Sequence, residues 1–404
     1  MNPSIDDRIP FHRPSIGDEE EAAVIRVLRS GWLTTAGEAR AFEQEFASAV
    51  GARHAISVNS ATSGLHLALE AAGVRSGGRV ITTPYTFTSS AEVIRYLGAD
   101  PLFVDVCDDD LNIDPALVAM AVEQTGDEAP QAILPVHLGG HACAMDALSD
   151  VARSAPALSG GEHAIPIIED AAHAFPGSYA GRSLGTLGTC GVYSFYATKT
   201  ITTGEGGMVV TDNDRLAARM GVMRLHGIDR EVWDRYTSAR PSWQYQVVEA
   251  GFKYNMPDIL AAIGRVQLAK AERFLAERRA IAGHYRRLLG DRDYLTLPPA
   301  REGSSWHLFV LRLERSRLSI DRDEFIARLA ERGIGTSVHY IPLHLMPYYR
   351  DRYGLKPQDF PVSLDAYERA LSLPIYPGLD EEAVARVAEA VIEIGDGALT
   401  GNHG

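Results

Sequence analysis

Cysteine is scarce: Cys107, Cys143 and Cys190 are the only three, widely spaced and without a Cys-x-x-Cys pair. That excludes a disulfide scaffold, a zinc ribbon and dithiol redox chemistry, and it points to a reducing cytoplasm. No run of 18 apolar residues occurs, and the opening MNPSIDDRIPFHRPS lacks the apolar stretch of a signal peptide, so neither a membrane span nor export is expected. Positive charge is in deficit: the formal net charge is −14, which argues against nucleic acid or an anionic membrane as partner and for a small molecule. A Gly-x-Gly-x-x-Gly after the first strand is missing, as is Gly-x-x-x-x-Gly-Lys-[Ser/Thr], so dinucleotide and P-loop folds lose support. There is no internal repeat and no low-complexity tract. The ends, Met1–Ile9 and Gly395–Gly404, read as loose.

What is present is an ordinary globular composition, 46% hydrophobic and 23% charged over 404 residues, enough for two or three domains or a large one with a smaller one attached. Short apolar, β-branched runs recur at His54–Ser60, Arg79–Pro84, Pro101–Val106, Ala132–Leu138, Ile165–Asp170, Val192–Tyr196 and Met208–Asp212. Continuous rather than alternating, they read as buried strands of a mostly parallel sheet, with helices such as Thr62–Ala72 and Ser89–Leu97 between them. The fold class is therefore α/β, a central mixed sheet covered on both faces. The acidic run Asp18–Glu21 reads as a helix start, where carboxylates suit the macrodipole. After Asn255 one long helix is expected, with Ile259, Ile263 and Val266 on its apolar face and Arg278, Arg279, Arg286 and Arg287 on a solvated one. Residues 1–270 are assigned to the large domain and 271–404 to a small α+β domain. The small domain should hold strands Trp306–Leu313 and Thr336–Tyr340, a helix capped near Asp321, and a last helix with Val384, Val387, Val391 and Ile394 on one stripe.

Three segments carry chemistry. Ser194-Phe-Tyr-Ala-Thr-Lys199-Thr-Ile-Thr-Thr-Gly204-Glu-Gly-Gly207 places a lysine after a buried strand and before a glycine-rich turn, where desolvation makes its ammonium costly and the amine a Schiff-base candidate. Ile167-Ile-Glu-Asp170-Ala-Ala-His173 ends a buried strand on a carboxylate that needs a partner: a protonated pyridine nitrogen, or, read as a helix cap, backbone amides. Asn59-Ser60-Ala61-Thr62-Ser63-Gly64 puts small hydroxyl residues at a helix N-terminus, a phosphate cradle. Cradle, strand-end Asp and strand-end Lys, in that order, meet the needs of pyridoxal 5'-phosphate. His137, His141 and Cys143 do not form a recognisable metal-ligand pattern, and a metal site is not expected there. Tyr348 and Tyr349 could stack on a nucleotide base or simply pack.

At this point the sequence resembles the sugar aminotransferases of the DegT/DnrJ/EryC1/StrS family, a branch of the fold-type-one pyridoxal-phosphate enzymes. The matching stretches are Ser30–Thr35, Asn59–Leu69, Pro84–Ser89, Pro135–His137, Glu169–Ala174, Ser194–Met208, Phe252–Asn255, Trp306–Phe309, Val338–Tyr340 and Leu371–Pro374, which span nearly the whole chain. In detail it is similar to bacterial members that aminate 4-keto nucleotide sugars, those making 4-amino-4-deoxyarabinose among them. The resemblance implies that Lys199 carries the cofactor, Asp170 faces its pyridine nitrogen, and His173 contacts its ring or phenolic oxygen. It further implies that Thr62, Ser63 and Ser194 hold the phosphate together with the Ala61 amide, that Phe87 stacks on the ring, and that Asn255 reaches the phosphate of the neighbouring subunit in a homodimer with shared active sites. Thr34, Thr35 and His339 match substrate-side positions. The implied reaction moves an amino group from glutamate to the keto group, at C4, of a nucleotide-linked deoxy sugar. Two departures, Tyr196 where relatives have His and Ala36-Gly37 where they have Gly-Pro, bear on substrate recognition and leave the lysine and aspartate untouched. The alternatives are an aminotransferase of cyclitols or other non-nucleotide keto substrates, and a non-catalytic sensor that binds the cofactor. A dehydratase of the same family would have histidine in place of Lys199.

Overall fold

The computed structural model describes residues 8–126, 129–154, 164–229 and 244–400. The apolar runs form β1 (His54–Val58), β2 (Arg79–Thr82), β3 (Asp100–Phe103), β4 (Ala132–Ile133), β5 (Ile168–Asp170), the hairpin β6 (Ser178–Tyr179) and β7 (Arg182–Ser183), then β8 (Cys190–Ser194) and β9 (Gly207–Thr211). Two ladders, β3-β2-β4 and β1-β9-β8-β5, are joined by parallel bridges Ile133–Ile167 and Val136–Asp170. The result is one sheet of order β3-β2-β4-β5-β8-β9-β1, in which only β9 runs against its neighbours.

Alternation along these strands feeds two cores. On one side Val192 and Val209 pack with Leu65, Leu69 and Met220; on the other Tyr193, Met208 and Val210 pack with Phe42 and Phe46. The covering helices are α1 (Asp18–Ser30), α2 (Gly37–Val50), α3 (Ala61–Ala72), α4 (Ser89–Tyr96), α5 (Pro115–Thr125), α6 (Met145–Ser154) and α7 (Asp214–Met223). Helix α3 lies hard on the sheet because Gly64 faces it: a Cβ there would sit 2.7 Å from Val192 Cγ1 and 3.0 Å from Val209 Cγ2. The acidic start of α1 does serve that helix, but Glu20 is buried against Gln267 and Lys270.

The expected long helix is two, α8 (Asp258–Ala269) and α9 (Ala271–Leu289), broken at Lys270, whose ammonium pairs with Glu19 and Glu20. Arg278 is not solvated. It is 0% exposed, and its Nη1 donates to the carbonyls of Trp306 (3.2 Å), His307 (3.2 Å) and Ile375 (2.8 Å). Beyond it, β10 (Leu295–Thr296), β11 (Phe309–Leu313) and β12 (Ala370–Leu373) make an antiparallel sheet. Helices α10 (Arg322–Glu331), α11 (Pro347–Tyr353), α12 (Pro361–Arg369) and α13 (Glu381–Gly397) complete the small α+β domain. Asp321 caps α10 by accepting from Glu324 N, and the α13 stripe is buried as expected. Thr336–Tyr340 is not a strand: its backbone pairs with the sheet through the isolated bridge Ser337–Ser372. The ends are less loose than expected, since Ile9 is buried and pairs with Ile334, and Leu399 pairs with Leu318. Among the described residues, no helix is long and apolar enough to cross a membrane.

Candidate active site

A cavity of about 570 Å³ opens at the carboxyl ends of β5 and β8, lined by Thr62, Phe87, Asp170, His173, Ser194, Lys199 and His339 among others. These ends are where ligands bind in open α/β sheets. Lys199 sits on a closed turn between β8 and β9. Its own amide bonds Tyr196 O at 2.9 Å, and the turn is shut by Phe195 N to Gly206 O (2.9 Å) and Thr203 N to Phe195 O (3.0 Å). Burial pulls the amine down to about 8, while the neighbouring Asp170 carboxylate opposes part of that fall. The free base, the form that attacks a carbonyl, is therefore far easier to reach near neutral pH than for an ordinary lysine.

Asp170 is 4% exposed. Ser90 Oγ donates to its Oδ2 at 2.8 Å and Ala172 N to its Oδ1 at 3.1 Å. Burial raises its pKa, with those two bonds and Lys199 acting against the rise. Its cavity-facing valence suits a cation that enters with a ligand.

The cradle is built at the start of α3. Ser60 caps the helix, accepting from Ser63 N at 3.1 Å, and the first intrahelical bond runs from Gly64 N to Ser60 O. The Ala61 and Thr62 amides precede that bond and point outward with the positive end of the helix dipole. Gly207, paired with Ser194, lets β9 approach this terminus: a Cβ would lie 2.7 Å from Ala61 N. Ser63 is not on the cavity wall, for its Oγ is bonded to Asn59 Oδ1 at 2.6 Å.

Imidazoles crowd the side facing the small domain. His173 Nδ1 accepts from Gly139 N (3.3 Å), which leaves the ring proton on Nε2 to donate to Tyr340 Oη (3.0 Å). Its ring lies 4.4 Å from that of His307. Burial holds both well below the ordinary histidine range, and nearby charge on Lys199 pushes the same way. His339, bonded through Nδ1 to Ser372 Oγ at 2.8 Å, is lowered to about 4 by burial and then Lys199. Phe87 stands 57% exposed at the rim, 6.1 Å from the Tyr340 ring.

Thr34, Thr35 and Asn255 are elsewhere. They line a second cavity of about 460 Å³ together with Lys253. There Asn255 Nδ2 donates to Thr35 Oγ1 at 2.6 Å, and Lys253 Nζ donates to Asn255 Oδ1. Asn255 does not cap α8. That segment is anchored by Asp258, whose carboxylate accepts from Ala36 N (2.7 Å), Glu38 N (3.2 Å) and Ala39 N (3.1 Å) and so caps α2, where Ala36 has no side-chain cap of its own. The aromatic residues Trp233, Tyr236 and Trp243 lie outside the described residues. His137 and Cys143 are committed to structure: His137 Nδ1 accepts from Cys143 N, and its Nε2 donates to Glu169 at 2.9 Å. Tyr349 is buried against Phe103, whereas Tyr348 is exposed.

Sequence reasoning missed Ser90, Phe11, His12, His307 and Tyr340. Tyr340 and His307 stood inside matched stretches without a role, and Ser90 follows one directly. Phe11 and His12 reach the cavity from a segment with no periodicity to mark it.

A strand-end lysine of lowered pKa, a buried carboxylate opposite it and a glycine-opened helix terminus in one cavity fit pyridoxal phosphate, and with this sheet they define a fold-type-one pyridoxal-phosphate enzyme. The sequence model of the DegT/DnrJ/EryC1/StrS aminotransferase family matches residues 14–392, and the chain belongs to that family. It is 42% identical over 393 residues to the spore coat polysaccharide biosynthesis protein SpsC of Bacillus subtilis, covering 96% of this chain and 98% of that one. A putative sugar aminotransferase of Streptococcus pneumoniae, solved in its PLP form, superposes with a TM-score of 0.89 at 30% identity over 97% of this chain and 100% of the other. PseC of Helicobacter pylori, an aminotransferase of pseudoaminic acid biosynthesis, superposes at 0.87 with 27% identity over 96% and 100%. The protein is a pyridoxal-phosphate-dependent sugar aminotransferase.

Proposed function

We propose that this enzyme transfers the amino group of L-glutamate to the C4 keto group of a nucleotide-linked deoxy sugar in the cytoplasm. The observation that carries the reading is the Lys199 amine, lowered to about 8, beside the raised Asp170 carboxylate in one cavity. Bound pyridoxal phosphate supplies an electrophilic carbon and an electron sink. Lys199 would hold it through its amine, and the same amine is the base placed to move a proton at the reacting carbon. Asp170 holds the pyridine nitrogen protonated. The α3 terminus at Thr62, with Ser194, receives the phosphate, Phe87 covers the ring, and neutral His173 borders its oxygen. His339, Thr34 and Thr35 are assigned to the substrate side.

The separation of Asn255, Thr34 and Thr35 from Lys199 within one chain supports a homodimer in which these residues complete the neighbour's site, and we place the two domains at residues 1–270 and 271–404. Mixing Lys199→Ala with Asn255→Ala subunits tests the sharing, because heterodimers then hold one intact site and activity returns in part; an inactive mixture despite subunit exchange refutes it. The acceptor is tested by presenting nucleotide-linked 4-keto sugars to the amine-loaded enzyme and following the return of the visible cofactor band. A response to free keto-cyclitols alone would redirect the assignment, and no response to any donor would favour a sensor.

A further inference from the structure

One segment of the cavity wall has no part in the reading above. Residues 8–17 run as a strap from the small domain to the large one. At one end Ile9 N donates to Gly333 O (2.9 Å) and Gly335 N to Ile9 O (2.8 Å); at the other Gln267 Nε2 donates to Ser15 O (2.8 Å), just ahead of α1. Midway, Phe11 and His12 enter the cavity wall. Phe11 leans on His339 with ring centroids 5.4 Å apart, and His12 meets the edge of Tyr376 at 6.1 Å. His12 Nε2 bonds Ala197 O at 2.9 Å, inside the turn and two residues before Lys199. A carbonyl only accepts, so Nε2 carries the proton. Burial lowers the His12 ring to about 4, helped by Arg278 and Lys199, and it stays neutral through ordinary pH.

We propose that His12 is a positioning residue for Lys199: its N–H holds the Ala197 carbonyl and so fixes the turn that presents the amine, and the strap ties that turn to the place of the small domain. Ala197 O has no other hydrogen bond among the described residues, so this donor is what ties that carbonyl to the rest of the protein. The link to the small domain is as direct, since a Cβ on Gly335 would lie 2.6 Å from Phe11 N and would push the strap off its seat.

The test uses the purified, cofactor-loaded protein. His12→Phe keeps a ring and removes the donor, while His12→Gln returns an N–H at similar reach. Losing one hydrogen bond of ordinary net strength should speed amide exchange at residues 197–199 about tenfold. It should lower kcat by about the same factor with the KM values shifted less than about twofold, and move the pH at which the visible band titrates. His12→Gln should recover most of each. Gly335→Ala, remote from the lysine, should speed exchange at the same amides. Should the phenyl ring fail to pack, His12→Ala gives the same reading. Wild-type exchange at 197–199 in the donor-less variants overturns the role of His12, and a Gly335→Ala effect confined to residues 8–12 overturns the coupling. The exchange measurement stands whatever the acceptor sugar proves to be, so failure of that assignment and failure of this one are separable.

Discussion

Glu169 and Asp170 are consecutive carboxylates on β5, 0% and 4% exposed, and they face opposite sides of the sheet. Glu169 is closed: its oxygens accept from His137 Nε2 (2.9 Å) and from the amides of Gly185 (2.8 Å), Leu187 (2.7 Å) and Gly188 (2.6 Å). Asp170 has one hydroxyl and one amide, and its remaining valence opens on the cavity with Lys199. Burial of a charge is common to both, so burial does not mark the reacting group. Unfilled valence toward a cavity does.

The largest break in this comparison should come on the open side. Lys199→Ala removes both the cofactor's attachment and the proton carrier, and turnover should fall by at least about 10⁴-fold, with loss of the visible band and little change in folding stability. Asp170→Asn keeps shape and removes charge; single-turnover rates with glutamate should fall about 10²- to 10³-fold, the scale of a lost electrostatic partner, while cofactor retention falls less. On the closed side the signature inverts. Glu169→Gln leaves amides pointing at an NH₂ and should cost about 3–5 kcal/mol of unfolding free energy, read by urea denaturation, with near-normal turnover per folded molecule. The smallest effect sharpens the contrast by pH. The Lys199 pKa is lower in the folded chain than in the unfolded one, so between about 8 and the ordinary lysine value the unfolded state binds more protons and folding stability rises with pH. In the cofactor-free protein that rise should be present, and the difference from Lys199→Met should show it shrinking to nothing.

The sheet was legible because buried parallel strands are written as continuous apolar runs, and Lys199 and Asp170 because each ends such a run. Arg278 contradicts the solvated face its charge suggests, although its position is informative: Phe274, Arg278, Ile281 and Tyr285 fall at helical spacing on the buried stripe, and here period outweighs charge. The break at Lys270 has no glycine or proline to announce it; it follows from ion pairs with α1, some 250 residues away in the chain. Ser63 looked like a cavity hydroxyl because spacing alone cannot tell a helix's capping bonds from its open face. Phe11 and His12 were invisible for a related reason: their partners, Ala197, His339 and Tyr376, come from three distant stretches, and no local pattern encodes that meeting.

The guanidinium of Arg278 gathers carbonyls from Trp306, His307 and Ile375, with no carboxylate among its hydrogen-bond partners in the described residues. For anyone seeking to retool the enzyme for another sugar, this sets a rule of transplantation. The loops that carry His307 and Ile375 to the cavity can be exchanged with those of a relative only together with the helix that bears Arg278, because a graft whose backbone turns its carbonyls elsewhere would strand a buried cation. Shuffled libraries should therefore cross over before residue 278 or after residue 376, and crossovers between those points should be depleted among folded progeny.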